Sequence, residues 1–261
     1  MQFSYVMKTM FIEEIVEHSF SLKCVPQSDA SQRIHKLDFY LLPQTGLSKT
    51  WDAFGNQMLY GRLSEAHDLF VVQVSGEVET TGKPIPQEDE TGTWVYKYAT
   101  RETASGDRIQ HFLEQQKSKI LERQTALEQA EFLMHAVYQK MHYQKAVTGM
   151  STTAEETFTI GKGVCQDYAH ILLALLRQMS IPARYVVGMM EGEGASHAWV
   201  EVYEKGFWYG FDPTNDQRVN DSYIRISQGR DAQDCLVERG IFHGNGSQQK
   251  LVGVKVAEKA N

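Results

Sequence analysis

The chain has 261 residues, of which 42% are hydrophobic and 11% aromatic, so it can bury one large core or two modest ones. Its formal net charge of -7 at pH 7 argues against a nucleic-acid groove or an anionic membrane surface, because both need an excess of Lys and Arg. We therefore expect neutral or cationic partners, with no nucleic acid and no membrane among them.

Residues 1–20 lack a basic start followed by an unbroken apolar run, so we expect no signal peptide. The longest apolar run, residues 171–176, is far shorter than the roughly 20 residues that a bilayer span needs. Cys24, Cys165 and Cys235 form no CxxC pair and no spacing typical of zinc ligation. These features predict reduced thiols in a cytoplasmic protein, without a metal site or a cofactor.

Strand signals dominate the N-terminal part, from Phe11 to about Lys97. Three segments combine alternation with β-branched and aromatic residues: 13–26, 35–43 and 68–80. Gly, Pro and Asn cluster between them as turn formers. The pattern predicts a meander or Greek-key sandwich, and we assign residues 1–105 to an N-terminal antiparallel β domain.

Long helix-favouring runs follow Gly106, at residues 107–122 and 124–143. An apolar stripe runs along the second of them, so a helical layer begins here. We assign residues 106–261 to a second domain.

A short helix and a buried helix are predicted next. Thr152 and Thr153 each open a capping box, which predicts a short helix that ends before Gly161. The run at 165–180 is apolar on nearly every side from Ala169 to Met179, as in a helix at the centre of a domain, and Pro182 ends it.

Three strand-like segments complete the second domain, at residues 183–190, 196–203 and 207–214. Glycine-containing turns separate them. The fold class is therefore α+β, with a central helix packed on an antiparallel sheet.

Cys165 is a candidate nucleophile because of its place at the first turn of the buried helix. Unpaired backbone N–H groups and the positive end of the helix dipole favour a thiolate there. Taken alone, such a cysteine is more often a small apolar residue that caps a buried helix. Cys24 and Cys235 are interpreted as structural.

His197 and Asp212 supply the groups that a thiol nucleophile requires. His197 opens a strand directly after a glycine-rich turn, so its imidazole can face the start of the helix as a base. Asp212 ends the next strand of a hairpin, where its carboxylate can orient the imidazole. Alone, the histidine would be a bystander and the aspartate a turn cap, so only the set of three is informative.

Four segments carry a resemblance to a known family: GKGVCQDYAH, IPARYVVG, GASHAWVEV and GFWYGFDPTN. In their order and flanks they resemble the bacterial transglutaminase-like enzymes, a papain-like group of cysteine proteases. The resemblance covers residues 150–243 strongly. It extends more loosely to DAFGN at 52–56, so the N-terminal part resembles the family's β-rich N-terminal domain. It implies Cys165 as nucleophile, His197 as base and Asp212 as orienting acid.

The chain departs from the usual family pattern at Ser180, Met189 and Ala232. Met189 and Ala232 replace aromatic residues in segments expected to border the cleft, so the acceptor pocket is expected to differ in shape.

Three further residues are candidates for oxyanion binding or for the cleft. Gln166, with the backbone N–H of Cys165, is placed to bind a tetrahedral oxyanion. Tyr168 lies one turn past Cys165, and Trp199 lies on the face of His197 by strand alternation. Core packing is the commoner role for both aromatic residues.

These residues predict a cysteine-dependent acyl hydrolase, a peptidase or amidase that forms a thioester with a peptide or amide substrate. Two alternatives stay open. One is transfer of the acyl group to an amine, and the other is a peptide-binding module without activity. The N-terminal β domain could also act as a docking platform. We favour hydrolysis because the sequence shows no recognisable amine site and no acidic calcium loop.

Overall fold

The computed structural model describes residues 1–87 and 89–258. The helices are a 3-10 helix (Glu90–Lys97), α1 (Asp107–Leu121), α2 (Ala126–Lys140), α3 (Ala154–Ile160) and α4 (Cys165–Gln178). The strands of the N-terminal part are β1 (Gln2–Leu22), β2 (Gln32–Leu42), β3 (Ser48–Trp51), β4 (Gln57–Leu63), β5 (His67–Thr80) and β6 (Ile85–Pro86). The later strands are β7 (His142–Tyr143), β8 (Lys162–Gly163), β9 (Ala183–Met190), β10 (Gly192–Gly194), β11 (His197–Glu204), β12 (Phe207–Asp212), β13 (Gln217–Arg218), β14 (Tyr223–Gly229), β15 (Glu238–His243) and β16 (Gln248–Ala257).

Strand β1 organises the N-terminal part because it pairs in two places along its length. Its first half, from Gln2 to Phe11, lies between β5 and β16. Its last residues, from His18 to Leu22, lie between β4 and β15. All of these pairings are antiparallel, as predicted. The strand begins at Gln2, well before the predicted start at Phe11. The prediction missed this part because the outward-facing apolar residues Val6 and Met10 obscure the alternation of its buried residues.

The C-terminal strands return to this N-terminal sheet. Strand β16 pairs with β1 and with β10, and β15 pairs with the other half of β1. The sequence-based boundary assigns all residues after 105 to the second domain, whereas residues 238–257 pair with the first. Sheet pairing over this sequence distance depends on partners that local patterns do not reveal.

Helix α4 forms the centre of the second core, as its all-round apolar sequence predicts. It packs against strands β9 and β11 and against helices α2 and α3. The second sheet has the strand order β13-β12-β11-β9-β14 and is antiparallel throughout. The predicted α+β class, a β-rich N-terminal part followed by a helix packed on an antiparallel sheet, is confirmed.

Local capping explains where α3 begins and ends. Thr153 accepts a hydrogen bond from the backbone of Glu156, whose side chain in turn accepts from the Thr153 backbone. Gly161 adopts φ 72° at the C-terminal end, a left-handed conformation that favours glycine. Of the two predicted capping boxes, the structure therefore uses the one opened by Thr153.

Within the part of the chain that the structure describes, no helix is long and apolar enough to cross a bilayer.

Candidate active site

The loop before Cys165 is held in place by a short parallel pairing. Strand β7 aligns with β8, so that Tyr143 lies opposite Gly163. The backbone N–H of Gln144 also donates to the Gly163 carbonyl oxygen, at 2.9 Å. This pairing fixes the turn that leads into α4.

Asp167 performs the N-terminal capping of α4, since the N-cap residue Val164 has no polar side chain. The Asp167 carboxylate accepts from the Val164 backbone N–H and from Thr148 Oγ1, both at 2.7 Å. Its second oxygen accepts from Thr157 Oγ1 at 3.1 Å. A buried carboxylate with three donors from three segments holds the first turn of α4 rigidly.

Cys165 is the first residue of α4 and is partly exposed. Among the described residues, neither its backbone N–H nor that of Gln166 has a hydrogen-bond acceptor. Two free N–H groups at a helix start are suited to bind an oxyanion next to the thiol. Gln166, the predicted oxyanion donor, is the second residue of α4 and is also partly exposed.

The hairpin of β11 and β12 brings His197 and Asp212 together. His197 is the first residue of β11, and Asp212 is the last residue of β12. His197 Nε2 lies 2.7 Å from Asp212 Oδ2. With Nε2 engaged, Nδ1 is the ring nitrogen left for Cys165, and the neighbouring thiol contributes to the raised pKa of His197.

Asp212 is fully buried and its carboxylate accepts hydrogen bonds on both oxygens. Besides His197, Oδ2 accepts from Tyr223 Oη at 2.7 Å and from Asn215 Nδ2 at 2.8 Å. Oδ1 accepts from the backbone N–H groups of Thr214, at 2.9 Å, and Asn215, at 3.2 Å. Burial alone would raise the pKa of Asp212, but the hydrogen bond from His197 and those from Tyr223 and Asn215 hold it below its usual value.

The protonated form of His197 is stabilised. Burial opposes the imidazolium, but the hydrogen bond with Asp212, the charge of that carboxylate and the neighbouring Cys165 raise the pKa of His197 to about 10. The ring is only 12% exposed. At neutral pH the site therefore holds an imidazolium between a buried carboxylate and a thiol.

Trp199 and Tyr168, the predicted cleft aromatics, are both buried. Trp199 stacks on the His197 ring with the centroids 6.4 Å apart, and meets Tyr223 edge-on at 5.4 Å. It therefore supports the imidazole from within the core. Tyr168 belongs to the core around α4.

Met189 and Ala232 do not border an open cleft, contrary to the expectation from sequence. Met189 is fully buried in the core of the N-terminal β domain. Ala232 is buried too, and its backbone N–H donates to His170 Nε2 at 3.1 Å. Both side chains, smaller or more flexible than the aromatic residues of the family pattern, are packed in the core.

Sequence reasoning missed Asp167, Asn215 and Tyr223. Asp167 could have been found as an acidic residue at the third position of a helix that lacks a polar N-cap. Asn215 follows Asp212 by three residues, a spacing typical of an Asx-type turn. Tyr223 carries no local signal, because it reaches Asp212 only through the sheet.

Among residues 1–87 and 89–258, no three His, Cys, Asp or Glu side chains are grouped so as to hold a metal ion.

Two family models match the chain. The model described as the transglutaminase-like superfamily matches residues 113–213, which include Cys165, His197 and Asp212. The model described as the bacterial transglutaminase-like N-terminal region matches residues 5–79. Together the two ranges cover about two thirds of the chain.

Curated relatives share part of the sequence. An uncharacterized protein of Mycobacterium leprae is 36% identical over 131 residues, which is 46% of this chain and 47% of the relative. An uncharacterized protein of Mycobacterium tuberculosis H37Rv is 35% identical over 140 residues, which is 48% of this chain and 44% of the relative. The chain thus spans about half the length of the curated relatives it matches.

A solved structure shares the whole fold. The crystal structure of a protein from Cytophaga hutchinsonii, described as a "Putative Cysteine Protease", has a TM-score of 0.75 and covers 100% of this chain and 92% of its own. At 20% sequence identity, this likeness shows the fold.

Proposed function

The chain belongs to the transglutaminase-like superfamily, and from this premise we propose that it is a cysteine-dependent acyl hydrolase, a peptidase or amidase. Cys165 is the nucleophile, His197 the general acid and base, and Asp212 the residue that orients the imidazole. The substrate is a peptide or another amide.

The observation that carries this proposal is the 2.7 Å hydrogen bond from His197 Nε2 to the buried Asp212 carboxylate. It holds the ring in one orientation and supports its protonated form, whose pKa is raised to about 10. An imidazolium next to a thiol favours the thiolate by charge attraction, and the thiolate is the nucleophilic form of cysteine.

In the first half-reaction, the Cys165 thiolate attacks the carbonyl carbon of the amide and forms a C–S bond. The negative charge moves to the carbonyl oxygen, where the free N–H groups at the start of α4 and the Gln166 side chain can stabilise it. His197 then transfers its proton to the leaving amine as the C–N bond breaks. An acyl-thioester remains on the protein.

In the second half-reaction, neutral His197 takes a proton from water while the water oxygen attacks the thioester carbonyl. The C–S bond breaks and the thiolate leaves, so that the carboxylic acid product is released and the ion pair with protonated His197 is restored. A primary amine in place of water would yield a new amide by the same steps. The choice between the two acceptors decides between hydrolase and transferase.

The test combines thiol labelling with product analysis. Iodoacetamide labelling of the three cysteines is followed by peptide mass spectrometry from pH 5 to 9, in the native protein and in His197→Ala. Cys24 and Cys235 serve as internal controls, since both are buried. Burial raises the pKa of both, that of Cys24 to about 12. We expect Cys165 to react first, and faster than in His197→Ala at every pH below 8.

Hydrolysis is then measured on p-nitrophenyl acetate and on peptide amides in H₂¹⁸O, with and without a fluorescent primary amine. We expect ¹⁸O in the acid product, and a loss of about 100-fold or more in kcat for His197→Ala. Predominant incorporation of the amine would show a transferase. Cys165 labelling that equals that of His197→Ala, with no turnover, would overturn the enzymatic proposal and favour a binding module.

A further inference from the structure

Strand β14 lies at the edge of the second sheet, because among residues 1–87 and 89–258 its only strand partner is β9. The backbone groups on its outer side therefore need other partners. Its pairing with β9 shifts register between Arg225 and Ser227, which marks a β-bulge. The bulge interrupts the even spacing of the outward-facing backbone groups, which disfavours regular pairing with a further strand along this edge.

Two side-chain amides from the N-terminal β domain cover this edge instead. Gln32 Nε2 donates to the Arg225 carbonyl oxygen, and the Arg225 backbone N–H donates to Gln32 Oε1, both at 2.8 Å. Asn56 Nδ2 donates to the Gln228 carbonyl oxygen at 2.7 Å, and the Gln228 N–H donates to Asn56 Oδ1 at 2.8 Å. Each amide makes the donor and acceptor pair that one residue of a neighbouring strand would make.

Both amides are themselves held in place. Gln32 and Asn56 are each only 3% exposed. Gln32 Nε2 also donates to the Gln27 carbonyl oxygen at 2.7 Å. Asn56 closes a turn around Asp52, whose carboxylate accepts from the Asn56 backbone and from its side chain, both at 2.9 Å. This is the DAFGN segment, and its rigid turn presents the Asn56 amide to β14.

Strand β14 connects these contacts to the candidate active site. Its first residue, Tyr223, is two positions before Arg225 and donates to Asp212 Oδ2 at 2.7 Å. Gln217 Nε2 donates to the same phenol oxygen at 2.7 Å, which leaves the Tyr223 proton directed at Asp212. A displacement of β14 would therefore move a donor away from the carboxylate that orients His197.

We propose that Gln32 and Asn56 are positioning residues that clamp β14 and thereby hold Tyr223 against Asp212. The N-terminal β domain is then a working part of the active site and not a separate docking module. This inference rests on the proposed function of Asp212 and His197. It acts through geometry, since neither amide touches the candidate triad.

The test replaces each amide by an apolar side chain of similar shape, in Gln32→Met and Asn56→Leu. The matched control is Gln228→Met, which removes the hydrogen bond from Gln228 Nε2 to Phe54 O at 2.9 Å and the one from the Arg225 guanidinium to Gln228 Oε1. Both amide clamps stay intact, because they contact the backbone of Arg225 and Gln228. Tyr223→Phe removes the hydrogen bond from Tyr223 to Asp212, through which the clamp is proposed to act. The readouts are the His197 titration by ¹³C NMR of labelled histidine, the rate of Cys165 alkylation against pH, and thermal unfolding.

We expect Gln32→Met and Asn56→Leu to shift the His197 titration and to slow Cys165 alkylation by about threefold to tenfold at pH 7, as expected for loss of one or two hydrogen bonds. The control should leave both unchanged. In the double variant with Tyr223→Phe, the clamp substitution should add little to the Tyr223→Phe effect, because both substitutions act through the hydrogen bond between Tyr223 and Asp212.

A fall in unfolding temperature with an unchanged His197 titration and unchanged alkylation would overturn the inference, since the amides would then be structural only. Additive effects in the double variant would overturn it as well. Failure of the proposed function is distinguishable: there the native Cys165 would react no faster than in His197→Ala, while the His197 titration would still report whether the clamp positions Asp212.

Discussion

Replacing Asp212 by asparagine tests the electrostatic basis of the site most directly. The substitution keeps the size of the side chain but removes the charge and one acceptor from a fully buried position. The His197 imidazolium loses the partner that, against the effect of burial, raises its pKa to about 10. We expect the pKa of His197 to fall by two units or more. Burial still disfavours the imidazolium, while the carboxylate that offset this effect is gone.

The magnitude follows from the raised pKa. At pH 8, a histidine with a pKa of about 10 is about 99% protonated, whereas one with the ordinary value of about 6.5 is about 3% protonated. A fall of two units corresponds to about 2.7 kcal/mol of lost interaction with the charged form. Cys165 remains beside the ring and still favours the imidazolium, so the pKa of His197 should fall by less than the full difference between about 10 and about 6.5.

The assay is a pH titration of ¹³C-labelled histidine by NMR, with the His197 signal assigned by its absence in His197→Ala. Asp216→Asn is the matched control: Asp216 lies on the same turn and pairs with His135, so the same charge is removed without loss of a partner of His197. A native His197 that titrates near 6.5, or one that titrates near 10 in Asp212→Asn, would refute the reasoning.

Three further predictions concern buried groups in the two sheets. Glu201→Gln should destabilise the protein by about 3 kcal/mol or more in urea unfolding, because it leaves buried Arg184 without the charge that it contacts at 2.7 Å. Gly188→Ala should cost about 1–3 kcal/mol, since the added Cβ would lie 2.1 Å from a β14 carbonyl oxygen and 2.4 Å from the Trp199 ring. Burial, and after it a neighbouring histidine, lowers the pKa of His18 to about 4, so the unfolded state binds a proton between pH 6.5 and 4 that the native state does not. Stability should therefore fall as the pH decreases through this window, and His18→Asn should reduce the slope of unfolding free energy against pH.

Each of these predictions has a control substitution at an exposed or uncrowded position. Glu114→Gln breaks an exposed ion pair and should change stability by less than about 1 kcal/mol. Gly253→Ala adds a Cβ with no atom within 4 Å. His35→Asn removes an exposed histidine. Equal effects of a control and its test substitution would contradict the packing argument behind that prediction.

Local sequence patterns predicted most of the elements that form the core around α4. The helix over 165–180, the capping box of Thr153 and the three strands after Pro182 all appear close to their predicted bounds. These features depend on periodicity, on capping chemistry and on glycine turns, which act between residues a few positions apart. The joining of β15 and β16 to the first sheet could not be predicted, since their partner strand lies more than two hundred residues earlier.

By itself, the sequence determined the α+β class, the central helix with Cys165 at its start, and the candidates His197 and Asp212 on one hairpin. Only the tertiary structure decided which distant groups surround them: Tyr223 on the Asp212 carboxylate, and the amides of Gln32 and Asn56 on β14. The physical reason is that a buried carboxylate and an open strand edge must find hydrogen-bond partners wherever the packed chain brings them. Those partners come from distant segments, and no local pattern in the sequence specifies them.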